Sequence, residues 1–227
     1  MNFCETAYRS VLARIESARA RAGRSDGVRL LAVSKTKPAQ ALLDLHRAGQ
    51  VDFGENYVQE ALAKQREIAA ADGTRRLAWH LIGPLQSNKC RETALHFDWL
   101  QSLDRAKLIA PLSRHRPPDT APLNVLIQVN VDDEDSKSGC APDEIDALAA
   151  SVAAAPGLRL RGLMAIPAPA ADTRRDAFRR MRGLFETLRG AYADVDTLSM
   201  GMSEDFELAI EEGATMVRIG TAVFGPR

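Results

Sequence analysis

The sequence predicts a single (β/α)8 barrel, a TIM barrel, preceded by one extra N-terminal helix. Eight short β-branched or apolar runs recur between longer helical patterns, the alternation that builds βα units around a parallel sheet. The chain has 227 residues, a little under the roughly 250 typical of such a barrel, so the length leaves room for this fold and little beside it. No composition shift marks an internal boundary. His115–Pro122, with three prolines in eight residues, reads as a surface loop, and residues 1–227 are expected to form one domain.

In chain order, the opening segment carries Val11, Ile15 and Ala18 on one side of a helical pattern, which suits packing on the barrel. The first four strand candidates are Arg29–Ser34, Val51–Gly54, Trp79–Gly83 and Asp98–Ser102. The other four are Asn124–Asn130, Leu160–Ile166, Thr197–Met200 and Met216–Gly220. Pro38 opens the helix after the first strand and Gly49 closes it, while Pro142 opens another that ends before Pro156 and Gly157. Ser203 stands where an N-cap would precede a helix over Glu204–Glu212. An open doubly wound sheet is the alternative architecture, but no GxGxxG follows the first strand.

Composition narrows the classes of function. Hydrophobic residues make up 45% and charged residues 26%, a globular balance that excludes disorder. Thirty Lys plus Arg offset thirty Asp plus Glu, removing the broad positive field that nucleic-acid or anionic-membrane binding would use. No run of 18 apolar residues occurs, and the opening segment is charged where a signal peptide needs an apolar core. Glu5 and Glu16 also argue against a transit peptide. Cys4, Cys90 and Cys140 are too few and scattered for a disulfide framework or a zinc site, so a reducing cytoplasm is expected. His46, His80, His96 and His115 show neither HxH nor HExxH spacing, which disfavours metal-dependent hydrolysis. The expected state is a monomer without nucleic-acid or membrane partners.

In a barrel of this kind the chemistry sits on the loops after the strands, so polar residues at strand C-termini are the candidates. Strand alternation puts Lys35 on one face with Val33 and Leu31, opposite Ser34 and Ala32. At the rim of a dry interior, burial would lower the amine's pKa and make it the neutral nucleophile that Schiff-base chemistry uses. A solvated loop lysine is the alternative. Loops after strands seven and eight frequently bind phosphate, and Gly201 and Gly220 would let the backbone approach an anion. Ser203 could join them or simply cap its helix, whose Glu204 and Asp205 complement the dipole without any ligand. Arg218 lies in an otherwise apolar strand and needs a carboxylate, a phosphate or an aromatic acceptor. A ring nitrogen facing it would stay unprotonated. An aldehyde-reactive lysine, an anion cradle and a ring-nitrogen donor together are the recognition chemistry of pyridoxal phosphate.

Five blocks in order resemble the pyridoxal phosphate homeostasis proteins. They are Ala32-Val-Ser-Lys-Thr-Lys-Pro38, Phe53-Gly-Glu-Asn-Tyr-Val-Gln-Glu60, Trp79-His-Leu-Ile-Gly-Pro-Leu-Gln-Ser-Asn-Lys89, Gly162-Leu-Met-Ala-Ile-Pro167, and Leu198-Ser-Met-Gly-Met-Ser203 with Met216-Val-Arg-Ile-Gly-Thr-Ala-Val-Phe-Gly225. The resemblance implies a barrel similar to the N-terminal domain of alanine racemases, with pyridoxal 5'-phosphate held as a Schiff base on Lys35. It implies that Ser203, Gly220 and Thr221 hold the phosphate, that Arg218 faces the pyridine nitrogen, and that Asn56, His80 and Met164 line the pocket. The block at Ser136–Gly139 also matches the family's loop after strand five, although Lys137 itself reads as solvated. The implied role is to bind and buffer the cofactor in intracellular vitamin B6 and amino-acid homeostasis, with apo-enzymes as candidate recipients and no established turnover.

The rival is a racemase-like enzyme using the same cofactor. Racemisation usually needs proton donors on both ring faces. Lys35 could serve one, and His80 or Tyr57 is the candidate for the other.

Overall fold

The computed structural model describes residues 3–71, 77–132, 138–167 and 171–225. Helix α1 (Phe3–Arg21) precedes β1 (Arg29–Val33), α2 (Ala39–Arg47), β2 (Asp52–Glu55), α3 (Val58–Ala71) and β3 (Ala78–Leu81). There follow α4 (Cys90–His96), β4 (Trp99–Leu103), α5 (Ile109–His115), β5 (Leu123–Gln128), α6 (Ile145–Ala153) and β6 (Leu158–Met164). The chain continues through α7 (Ala171–Ala191), β7 (Thr197–Ser199), α8 (Phe206–Glu211), β8 (Met216–Ile219) and α9 (Thr221–Phe224). The strands pair in parallel in chain order, and β8 returns to β1 to close the barrel. All eight expected strands form, with ends displaced by no more than two residues.

Closure divides the side chains into two sets. Those pointing outward bury against the helices, as Phe53, Leu100, Leu163 and Leu198 do. Inward-pointing residues meet across the barrel: the Arg29 guanidinium lies over the Trp99 ring at 4.8 Å, joining β1 to β4, and Gln101 reaches Met216 from β4 to β8. Trp99, Leu126 and Met164 form their own apolar cluster in this interior. The remaining inward positions include Asp52, His80, Gln101, Ser199 and Arg218, so this barrel is filled partly by polar groups that must satisfy one another.

Local chemistry sets several helix ends. Glu144 accepts the Ala141 N–H at 2.8 Å where Pro142 opens a short 3-10 turn leading into α6. The helix expected from Glu204 instead starts at Phe206, because Asp205 is its N-cap residue and turns back to accept the Met202 N–H at 2.6 Å. Ser203 is therefore not the cap. Cys140, a candidate exposed loop thiol, is buried where it bridges to Val129, and burial pushes its thiol up to about 12. Ser136 and Lys137 lie outside the described residues.

Helix α1 packs against α2, α8 and α9 on the outside of the seam between β1 and β8. Tyr8, Val11, Ile15 and Ala18 are its buried stripe. This is the face that the spacing of Val11, Ile15 and Ala18 marks out. Replacing Ile15, only 2% exposed, with alanine leaves a void as well as losing apolar burial. Ile15→Ala is expected to cost about 3 kcal/mol, whereas Leu12→Ala, on the outer face, should stay within about 0.5 kcal/mol; urea unfolding of the two variants checks this.

Candidate functional site

The loops after the strands enclose a cavity of about 610 Å³ at the C-terminal mouth. Lys35, Asn56, Ser203, Arg218, Gly220 and Thr221 all line it. Val33 does too, so the alternation that groups Lys35 with Val33 correctly selects the inward face. His80 and Met164 are not on the wall. Both are fully buried, whereas Ile82 and Ile166, two residues further along the same strand exits, form the lining. Of the expected pocket residues, these two lie one layer below the lining.

Lys35 is presented by a tightly bound turn. Ser34 points away from the barrel interior, and its Oγ donates to Glu55 Oε1 at 2.6 Å. Lys64, from α3, donates its Nζ to Ser34 O at 2.7 Å, Glu55 Oε1 at 2.7 Å and Glu60 Oε1 at 2.8 Å. Glu60 in turn accepts the Thr36 N–H. That bond holds Thr36 at φ +66°, a left-handed conformation costly for a β-branched residue. Lys37 N–H closes the turn onto Ser34 O, and Lys37 Nζ reaches Phe224 O and Gly225 O beyond β8. Lys35 is thus fixed between α3 and α9 by groups on either side of it.

The Glu55–Lys64 pair is buried, with side-chain exposures of 0% and 7%. Burial raises the Glu55 carboxyl above its ordinary range, against the hydrogen bonds from Lys64 and Ser34. Its second oxygen, Oε2, has no hydrogen-bond partner among the described residues. This site therefore tolerates the charge only while Lys64 is present. Glu55, Glu60 and Lys64 were not singled out by motif reading, although the i, i+4 spacing of Glu60 and Lys64 on a helix is a legible signal.

Arg218 lines the cavity from β8, the strand paired with β1. Its Nη1 donates to Ser199 O and Ser199 Oγ, both at 2.8 Å, and its Nη2 donates to Ala165 O at 2.8 Å. All three acceptors are neutral. Burial consequently pulls the guanidinium down to about 10, opposed by the charge of Asp205. Asp205 and Glu204 line the cavity, and Asp205 is paired with Arg174 at 3.4 Å.

The loops after β7 and β8 meet at Ser203, whose Oγ accepts the Ala222 N–H at 3.5 Å. At Gly220 a Cβ would stand 3.2 Å from Val33 O, so glycine permits the close approach of this loop to β1. Gly201 serves the packing of the neighbouring loop. It sits at φ +91°, and a Cβ there would come 2.6 Å from Ala209, so it lets α8 pack beneath the loop. Among the described residues, no cluster of three His, Cys, Asp or Glu could hold a metal ion, and no helix is long and apolar enough to cross a membrane.

A closed barrel with a lysine after its first strand and a buried arginine in its last places the chain in the alanine racemase barrel class. Residues 8–227 match the family described as alanine racemase, N-terminal domain. The pyridoxal phosphate homeostasis protein of Pseudomonas aeruginosa is 56% identical over 220 residues, covering 96% of this chain and 93% of that protein. PipY of Synechococcus elongatus, solved with PLP bound, is 36% identical with a TM-score of 0.80, covering 94% of this chain and 99% of that one. An unknown protein from Bifidobacterium adolescentis superimposes with a TM-score of 0.89 at 35% identity, covering 97% and 94% of the two chains. The chain belongs to the pyridoxal phosphate homeostasis protein family.

Removing Lys64 would leave the Glu55 carboxylate buried and unpaired. Lys64→Met is expected to lose about 3 kcal/mol or more of stability at neutral pH, and Lys64→Met combined with Glu55→Gln should recover much of it. Because the folded-state pKa of Glu55 is raised, its favourable contribution is present below the unfolded value and is lost as pH rises through the folded one. The deficit in Lys64→Met should therefore shrink between pH 8 and pH 5 in urea titrations.

Proposed function

We propose that this chain binds pyridoxal 5'-phosphate in the cavity at the barrel mouth, holds it as a Schiff base on Lys35, and serves intracellular vitamin B6 and amino-acid homeostasis as a carrier of the cofactor. The observation that carries this reading is the gathering of Lys35, Arg218 and the Gly220–Thr221 turn on one cavity. PipY, which shares 36% of its sequence with this chain, was solved with PLP bound.

The donor set fits each part of the cofactor. Lys35 supplies an amine to an aldehyde; the C–N bond forms as water leaves, and hydrolysis reverses it. Ser203 and Thr221 offer hydroxyls, and Gly220 and Thr221 offer backbone N–H groups, to a phosphate. Arg218 can donate to a ring nitrogen but cannot readily lose a proton to it, so the nitrogen stays unprotonated and the ring remains a weak electron sink. Asn56 completes the wall beside Lys35.

A weak electron sink suits storage of the aldehyde better than carbanion chemistry. The candidates for a second proton donor are also poorly placed for a racemase-like reaction: His80 is buried below the cavity, while Tyr57 is 66% exposed and not among its lining residues. Cys4, Cys90 and Cys140 are unpaired, which suits a reducing cytoplasm.

Incubation with pyridoxal 5'-phosphate followed by borohydride reduction should leave one adduct, mapped by mass spectrometry to the peptide containing Lys35. Lys35→Ala should abolish it without loss of folding. A folded wild-type protein with no adduct at Lys35 refutes covalent retention. As a carrier, the loaded protein should activate an apo-enzyme faster than the cofactor it spontaneously releases does, measured by stopped-flow with an aldehyde scavenger. Equal rates would exclude direct transfer, and solvent deuterium uptake at an amino acid Cα would favour the racemase-like enzyme.

A further inference from the structure

The buried guanidinium of Arg218 is the first group of a hydrogen-bonded series that runs down the barrel interior. Arg218 Nη1 donates to Ser199 Oγ at 2.8 Å, and Ser199 Oγ donates to Gln101 Oε1 at 2.7 Å. Gln101 Nε2 lies 3.0 Å from His80 Nδ1, and His80 Nε2 lies 2.9 Å from Asp52 Oδ1. The five residues come from β8, β7, β4, β3 and β2. Gln101, Ser199 and His80 are fully enclosed, and only Asp52 is half-buried.

The chemistry of three groups fixes the direction of every bond. A guanidinium only donates, so Ser199 Oγ must accept from it and use its own proton toward Gln101. A thioether only accepts, and Met216 Sδ lies 3.1 Å from Gln101 Nε2. The amide nitrogen must therefore face both Met216 and His80, leaving the amide oxygen for Ser199. His80 Nδ1 is then the acceptor, and Nε2 carries the proton donated to the Asp52 carboxylate. Stacking on Trp99, with centroids 5.2 Å apart and planes 7° from parallel, fixes the plane of the imidazole.

We propose that Asp52, His80, Gln101 and Ser199 are positioning residues that form a one-way chain holding Arg218 charged and directed toward a ring bound at the mouth. The chain compensates a guanidinium whose direct acceptors are all neutral by connecting it to a carboxylate at the far end of the barrel. Hydrogen bonds aligned in one sense polarise one another, so negative charge at Asp52 is felt at Arg218 more strongly than its distance alone would allow. The charged groups facing His80 are Asp52, Arg29 and Asp98, and Asp205 is the charge facing Arg218. Burial lowers the His80 pKa against the pull of Asp52, keeping the ring neutral as the chain requires. This role rests on the cofactor reading above, since it concerns what Arg218 presents to a bound ring.

The test compares protein loaded with pyridoxal 5'-phosphate in wild type, Ser199→Ala, Ser199→Thr and Gln101→Leu, each checked for a cooperative melt and for the borohydride adduct on Lys35. Breaking the chain removes the negative compensation behind Arg218 and frees its guanidinium to turn, so its charge is less screened while its donors are no longer aimed at the ring. Ser199→Ala and Gln101→Leu should then lower the apparent pKa of the visible chromophore by about one unit and weaken cofactor retention about tenfold. Ser199→Thr, which keeps the hydroxyl, should restore both. Full adducts with unchanged titration and retention in the folded variants would overturn the chain and leave the cofactor reading intact. A wild type without an adduct would overturn both. Nitrogen-15 NMR of ligand-free protein provides an arm that needs no substitution: His80 should be protonated at Nε2 and bare at Nδ1, and a proton on Nδ1 would overturn the chain even if every variant failed to fold.

Discussion

A permanently charged group inside a closed barrel is the constraint around which the rest of this molecule is arranged. Parallel barrels ordinarily fill their interiors with layers of branched apolar side chains. Here Arg218 occupies an inward position, 4% exposed, and its donors must be satisfied from the strands themselves. Backbone carbonyls of Ser199 and Ala165 meet part of that demand. Further down, the guanidinium groups of Arg29 and Arg161 each approach the Trp99 ring to a little under 5 Å. The barrel thereby excludes water around groups that would otherwise recruit it, and fixes the geometry at its mouth from below.

The second charged assembly acts from outside the strands. Glu55 points away from the interior and meets Lys64 under α3, so the pair stabilises the backbone that carries Lys35 without entering the cavity. Desolvating such a pair is expensive, and it is weak support for overall stability. Its effect is directional: one ammonium group ties Ser34, Glu55 and Glu60 together, and Glu60 then captures the left-handed Thr36. A lysine on a flexible loop would sample many positions. On this turn its range is limited by an ion pair, two carbonyls and the close approach of Gly220.

Much of the fold was legible because parallel strands buried on both faces leave dense apolar runs, and these survive small errors in their limits. Depth along a strand was harder to read. His80 and Met164 share blocks with cavity residues, yet two residues of strand correspond to about 6.6 Å, enough to move a side chain from the wall to the layer below. The start of α8 was misplaced for a local reason, since Glu204 and Asp205 look like first-turn acids until Asp205 turns back to the Met202 N–H. The interior polar residues gave a faint signal: Gln101 interrupts an apolar strand much as Arg218 does, and only the assembled barrel reveals that Ser199 connects them.

Lys37 clasps the carbonyls of Phe224 and Gly225, joining the first βα loop to the last helix across the seam where β8 meets β1. During synthesis the segment that presents Lys35 emerges nearly two hundred residues before the segment that carries Arg218 and Gly220. The seam cannot close while residues 216–225 remain in the ribosomal tunnel. A nascent chain consequently carries Lys35 without the cavity that surrounds it, and that cavity is completed in a single late step rather than accumulating as the barrel grows.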